Sequence, residues 1–369
     1  MIDVTSVVKE FSAPDLQAYI NDYTLGDLGF KTFFPSVFTT KLTFEALQAD
    51  FGAKVAADIV AFDSRAPRKG RQMPGKITGD IPKVEIARPK KETDLNIYRE
   101  LLQAINSSNN AQTRGQALKR LVDWMYDDAT FVLNGVNARM EWMAKQIAST
   151  GSYKLTVANN EAGVVTPIKI DFGVPALQIV NSATNWWAAS NVSKPISDIK
   201  AIDATARGKG LKLAYITMDK DTFNKIVLSD EVQKYTASFV ANALGLQLVP
   251  NINSVNQALQ NETLPQIRIW DSFINLESKA GVYTSTTGWE PGNVILTVTP
   301  LLGSTQWTTS ADAFVGSDVD KSTKAYNDFV LVKAYAEQDP ITVITKGIAY
   351  ATPVLSGANN IYILKTKQS

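Results

Sequence analysis

The stretch "RGQALKRLVDWMYDDATFVLNGVNARMEWMAKQIAST", residues 114 to 150, constrains this chain more than any other. Leu118, Leu121, Val122, Met125, Ala129, Val132, Leu133, Val136, Met140, Met143 and Ile147 recur at spacings of three or four, with adjacent pairs at Leu121–Val122 and Val132–Leu133, which makes one apolar stripe on one helix face. At 1.5 Å per residue such a helix spans roughly 50 Å. The stripe does not keep a strict heptad, so a coiled coil is disfavoured. The spacing predicts a single long helix lying across a sheet, with Leu118, Leu121, Met125, Val132, Val136 and Met140 packing against it.

The sheet must come from the flanking segments. Before the helix, Val55, Ala57, Ile59 and Ala61 alternate with Lys54, Ala56, Asp58 and Val60, and Val84 and Ile86 alternate with Lys83, Glu85 and Ala87. Period-two patterning predicts strands, and residues 43–92 read as one long hairpin. A two-stranded ribbon alone is marginal in water, so it must lie on its own body or on another subunit. After the helix, "GSYKLTVANNEAGVVTPIKIDFG" reads as a hairpin with Tyr153, Leu155 and Val157 on one arm and Ile168, Ile170 and Phe172 on the other. A polar connector around Trp186 and Trp187 leads to residues 196–340. There a helix from Ile196 to Ala206, a strand "LKLAYITM", an Asp219-capped helix running through Phe239, and strands "QIRIW", "VYTST" and "VILTVT" are expected. "DPITVITKGIAYATPVLSGANNIYILKT" reads as three strands. Near the N-terminus, "SAPDLQAYINDYTLG" predicts a short helix, and Phe33, Phe34 and Phe38 belong to an aromatic cluster. These rings either fill the core or form an arm that inserts into a neighbour.

The hairpin tip "RKGRQMPGKITGD", residues 68–80, comes within one residue of a phosphate-binding loop: Gly70, Gly75 and Lys76 are in place, but Ile77 stands where a Ser or Thr must hold magnesium. Such a loop opens a helix whose N-terminus faces the phosphate, whereas Gly79, Pro82 and Pro89 follow here. Proline in a helix interior costs about 3 kcal/mol, so no helix and no nucleotide site are expected. Residues 65–91 instead carry nine Lys or Arg against two Asp or Glu, leaving 28 basic and 34 acidic residues elsewhere. A basic finger on a mildly acidic body suits self-association; a β-ribbon inserted in nucleic acid and an idle solvated loop are the other readings.

The 369 residues contain neither Cys nor His. That excludes thiol nucleophiles, Ser-His-Asp triads, His general bases and Cys/His zinc sites. The acidic pairs Asp219/Asp221 and Asp318/Asp320 sit in polar turns, where capping is the commoner use of Asp. No metal, cofactor or catalytic residue is expected. No signal peptide and no run of about 18 apolar residues is present, so a soluble protein made in a cytoplasm is expected.

Four collinear pieces, "FFPSVFTTKLTFEAL", "GSYKLTVANNEAGVVTPIKIDFG", "LKLAYITMDKDTFNKI" and "ITVITKGIAYATPVL", together with the order arm, basic-tipped hairpin, long helix, hairpin and mixed region, carry a resemblance over nearly the whole chain. It resembles the major capsid proteins of tailed bacteriophages with the Hong Kong 97-like fold, and most closely the lambda-type major capsid protein E family. The resemblance implies an α+β fold with an N-terminal arm (1–42), an extension loop (43–92), a peripheral domain with a spine helix (93–195), an axial domain (196–340) and C-terminal strands returning to the peripheral domain (341–369). It also implies that Gly70 and Gly75 are turn residues at the loop tip, and that Arg65, Arg68, Lys69, Arg71 and Lys76 touch a neighbouring subunit. The implied function is self-assembly into pentamers and hexamers of an icosahedral virion shell around double-stranded DNA, contacted non-specifically and without a membrane, in the host bacterial cytoplasm. The implied partners are a separate scaffolding protein, a portal and, in some members, a decoration protein. An encapsulin-like compartment and a nucleic-acid- or NTP-binding protein are the rival readings.

Overall fold

A computed structural model describes residues 13–23, 26, 28–48, 75–107, 110–156, 159–160, 169–237, 250–279, 281–315 and 322–367. The described residues begin with helix α1 (Ala13–Asp22), a single turn α2 (Phe30–Phe33), strand β1 (Ser36–Phe38), strands β2 (Thr43–Gln48), β3 (Gly75–Asp80) and β4 (Lys83–Lys90), and helices α3 (Glu92–Ser107) and α4 (Ala111–Thr150). Next come β5 (Ser152–Lys154), β6 (Lys169–Asp171), β7 (Ile179–Asn181), α5 (Pro195–Gly208), β8 (Tyr215–Met218), α6 (Lys220–Val227), α7 (Asp230–Thr236) and α8 (Ile252–Asn261). The remaining elements are β9 (Gln266–Ile269), β10 (Ile274–Lys279), β11 (Val282–Thr286), β12 (Asn293–Thr297), β13 (Gly303–Thr308), α9 (Ala311–Phe314), β14 (Thr323–Asn327), β15 (Val330–Gln338), β16 (Ile341–Leu355) and β17 (Tyr362–Lys365).

Helix α4 is the expected spine. The Asn110 side chain accepts a hydrogen bond from the Gln112 amide at its start, and Gly151, at φ 76°, closes its end by donating to the Ile147 carbonyl. Leu121, Met125, Val132, Val136 and Met140 are buried in the main core, but Leu118 is 53% exposed and Val122 is also open to solvent. The first turns outrun the surface the stripe covers: apart from Ala117, the described side chains of residues 112–120 are exposed.

The spine packs on a six-stranded sheet in the order β1-β13-β16-β15-β14, with β4 also pairing β16. One cross-strand row, Ala325, Val332, Gly347 and Ile86, shares the face turned to the helix. Two glycines set how closely helix and sheet approach. A Cβ at Gly347 would stand 2.8 Å from the Val132 carbonyl oxygen, and one at Gly135 would stand 2.6 Å from Ile86 Cδ1. Gly347 therefore serves close approach instead of breaking a strand, and "ITVITKGIAYATPVL" is one 15-residue strand. With β17 this makes two strands at the C-terminus where three were expected.

A five-stranded sheet, β7-β17-β12-β8-β9, is buried on both faces. Ile295 and Ile363 join the spine's core, while Val294, Leu296, Tyr362 and Leu364 join a second core with Ile199, Phe223, Ile226 and Leu259. Two-sided burial accounts for the unbroken apolar run of β12.

The expected segment limits do not coincide with the sheets. Strands β13, β14 and β15, from within 196–340, pair in the six-stranded sheet, and β17, from within 341–369, joins the five-stranded one. The Asp219 helix is split into α6 and α7 at Leu228 and Ser229, where the Ser229 hydroxyl donates to the Ser193 carbonyl. The expected strand at 54–61, the hairpin residues Val157 and Ile168, Asp318, Asp320 and Phe239 lie outside the described residues.

Candidate assembly surfaces

The basic-tipped segment is built differently from one long hairpin. Strand β2 pairs β3 from Thr43 opposite Asp80 to Gln48 opposite Gly75, whereas β4 leaves the ribbon and pairs β16 antiparallel from Lys83 opposite Tyr350 to Lys90 opposite Val343. Val84 and Ile86 thus belong to the sheet core. Sequence alternation marked these strands but could not show that the partner of β4 lies more than 250 residues away.

The ribbon is fixed at its base. Phe44 is buried, its ring 5.8 Å from that of Phe172 and pressed against Gly79, where a Cβ would stand 2.6 Å from the ring. Gln306 on β13 accepts the Glu45 amide proton at 3.1 Å and donates to the Glu45 carbonyl at 2.9 Å. The Glu45 carboxylate accepts Lys41 and Lys76, each at 2.9 Å. Lys41 first, and Lys76 with it, hold that carboxyl down to about 2.

Two expectations for the tip change here. Gly75 is a strand residue opposite Gln48 and does not take a positive φ, and its lack of a side chain matters because a Cβ would stand 2.5 Å from Gln48 Oε1. Lys76 is 46% exposed, yet its ammonium is engaged by Glu45 of its own ribbon. No helix follows Lys76, because β3 and β4 occupy residues 75–80 and 83–90. Arg65, Arg68, Lys69, Gly70 and Arg71 lie outside the described residues.

Much of the remaining basic charge of the segment is also met within the protomer. Arg88 reaches Asp127 at 2.7 Å, the buried Lys90 reaches Asp128 at 2.6 Å, and Lys83 and Lys346 both pair Glu85. Burial lowers the Lys90 ammonium's pKa despite Asp128. The Lys346 and Lys83 partners hold Glu85 below its usual value although burial works the other way.

The arm aromatics divide. Phe33 and Phe34 are buried, with Phe33 stacked on Trp270 at 4.3 Å, while Phe38 is 52% exposed beside Trp307 at 4.8 Å. Val37 and Leu42 are exposed as well, so an apolar surface surrounds the ribbon's base, and Leu118 and Val122 form another on the spine. Among the described residues no cluster of His, Cys, Asp or Glu could hold a metal ion, and no helix is long and apolar enough to cross a membrane. The geometry offers surfaces for association.

The family model for phage major capsid protein E matches residues 17–365. No curated protein matches the sequence. Among solved structures, a protein assigned as the capsid protein of a prophage in E. coli CFT073 is similar, with a TM-score of 0.59 at 13% identity over 96% of this chain and 99% of that chain. A phage-related protein from Bordetella bronchiseptica RB50 follows at 0.48, 12% identity and 96% of each chain. The capsid of cyanophage A-1(L) gives 0.46 and 10% identity over 94% of this chain and 96% of that one.

Proposed function

This chain belongs to the phage major capsid protein E family and is a structural capsid shell protein with the Hong Kong 97-like fold; we propose that its copies group as pentamers and hexamers, with the β2-β3 ribbon of each copy lying on its neighbour. The observation that supports this most is the ribbon itself. It has two strands only, held on its own body by Phe44, Gln306 and Gln48, and a two-stranded ribbon is marginal in water unless other surfaces cover it. In this reading Arg65, Arg68, Lys69 and Arg71 meet carboxylates of the adjacent copy, and residues 196–340 turn toward the five-fold and six-fold centres.

The shell encloses a tailed phage's double-stranded DNA, touched non-specifically, since a net charge of +1 provides little of the phosphate neutralisation that recruits nucleic acid. A scaffolding protein, a portal and a decoration protein are proposed as partners on the family's account, with assembly in the host bacterial cytoplasm. The role is structural, and no catalytic group is assigned. The family match does not favour an encapsulin-like compartment or an NTP-using protein.

The test reverses charge at Arg68, Lys69 and Arg71 together by substitution with Glu. Each exposed pair is worth about 0–1 kcal/mol, but repetition around a capsomer multiplies the loss, so particle yield should collapse while the protomer's thermal melt stays unchanged. Wild-type yield should also fall with salt, because screening acts over about 10 Å at 0.1 M. Unchanged particles from the triple variant would overturn the contact.

A further inference from the structure

The C-terminal half of the spine carries two charges in a place that should not hold any. Glu141 and Lys145 lie one turn apart and are both fully buried, flanked by Met140, Trp142, Met143 and Ala144, all buried too. The Glu141 carboxylate accepts the Phe30 amide proton at 2.7 Å on Oε2, and the Trp270 indole N–H at 2.5 Å together with the Ser272 hydroxyl on Oε1. Lys145 Nζ stands 3.5 Å from Oε1 and donates to the Ser272 carbonyl at 2.7 Å and its hydroxyl at 2.6 Å. The serine thus passes a hydrogen bond from ammonium to carboxylate.

Three segments far apart in sequence meet on that carboxylate: the turn of the N-terminal arm, the spine, and the link between β9 and β10. The surroundings tighten the same joint. A Cβ at Gly29 would stand 3.0 Å from the Trp270 indole nitrogen, Phe33 stacks on the Trp270 ring, and Lys31 reaches Asp328 at 3.0 Å.

Replacing a buried ion pair with apolar residues is often neutral or stabilising, so stability alone is a poor reason for this one. What the pair supplies is direction. Apolar packing tolerates sliding, whereas a carboxylate that must accept three donors from two other segments fixes angle and register.

We propose that Glu141 is a positioning residue for shell assembly, fixing the turn at Phe30 on the spine and with it the register of the N-terminal arm, whose helix α1 lies along the spine through the Tyr19–Thr130 and Tyr23–Asn134 hydrogen bonds, with Lys145 and Ser272 holding its carboxylate in place. The proposal rests on the shell reading above. Neither the arm nor the link is reached by another charged side chain of the spine's last three turns, since Arg139 donates to Asn159 instead.

Two variants of the full chain test it, each followed by amide hydrogen exchange, thermal melting and electron microscopy of assembled particles. Glu141→Gln with Lys145→Met keeps shape and removes both charges. Ser272→Ala removes the bridge and no charge. Losing a charge-assisted bond should speed exchange of the 28–34 amides by about tenfold or more in the double variant. Exchange at 132–136 should stay slow, the melt should be kept, and open or irregular particles should replace closed shells. Ser272→Ala should show the same pattern to a smaller degree. Slow exchange at 28–34, or fast exchange with closed shells at wild-type yield, would overturn the proposal. So would equal acceleration at 132–136 with a lost melt in both variants, since the pair would then be ordinary core. Wild-type protein that never assembles would instead sink the shell reading, and the exchange data would still report on the joint.

Discussion

Gln306 holds Glu45 by both of its main-chain polar groups, accepting the amide proton at 3.1 Å and donating to the carbonyl at 2.9 Å. A side chain thereby stands in for the missing third strand at the free edge of the β2-β3 ribbon. Gln306→Leu should destabilise the protein by about 1–3 kcal/mol, the worth of two bonds whose partners are left partly buried. Denaturant melts should show the loss, and exchange at the Glu45 amide should rise first. An unchanged melt with an equally slow Glu45 amide would mean that Phe44 anchors the ribbon alone.

The Glu45 carboxyl titrates near 2 because Lys41, and with it Lys76, stabilise its charged form. A folded value below the ordinary 4.5 means the interaction is fully present above about pH 4.5 and fades as pH falls toward 2. Carboxyl-detected NMR should place the midpoint near 2, and Lys76→Ala should move it upward. Magnesium and ATP should leave it where it is. A midpoint at 4.5 in the wild type would break the ion-pair account, and saturable magnesium-dependent ATP binding lost in Lys76→Ala would revive the phosphate-loop reading.

The helix and sheet meet over two glycines that differ in what opposes them. Gly347 faces the main chain of Val132, which cannot move without bending the spine, whereas Gly135 faces the far end of the Ile86 side chain. Gly347→Ala should cost about 1–3 kcal/mol by overpacking. Gly135→Ala should cost less, because an isoleucine methyl can turn aside and alanine favours the helix. Chemical denaturation with an unchanged slope measures both, and the reverse ranking would contradict the packing described.

Burial along the spine separates two residues of one stripe. Met140→Ala should cost about 2–5 kcal/mol, while Leu118→Ala should stay within about 0.5 kcal/mol in the unassembled protein. Thermal melting of both decides whether the stripe truly outruns the core at its N-terminal end.

Local signals carried much of the fold. The spine's three-and-four spacing, the alternation at Tyr153 and Ile170, and the Gly/Pro content after Lys76 each reflect physics acting within a few residues, and the structure has the spine, the Tyr153–Ile170 pair and strands instead of a helix after Lys76. Pairing was a different matter. Nothing near Val84 says that β4 will seek Ala349 across the chain, or that Tyr362 will leave β16's sheet for another. Glu141 and Lys145 have the spacing of four found in any solvated helix pair. Only the crowding of Met, Trp and Ala around them hinted at burial. Gln306 left no signal at all, since a lone glutamine in a strand looks the same whether it faces water or grips a neighbouring main chain.

Shell assembly is tested most directly by electron microscopy of the protein produced together with the proposed scaffolding protein, with sedimentation on the same sample. Closed icosahedral shells built from five-fold and six-fold capsomers, sedimenting far above the 40.3 kDa protomer, are the predicted result. A protein that stays a 40.3 kDa monomer at every concentration, with the scaffold present, would contradict it.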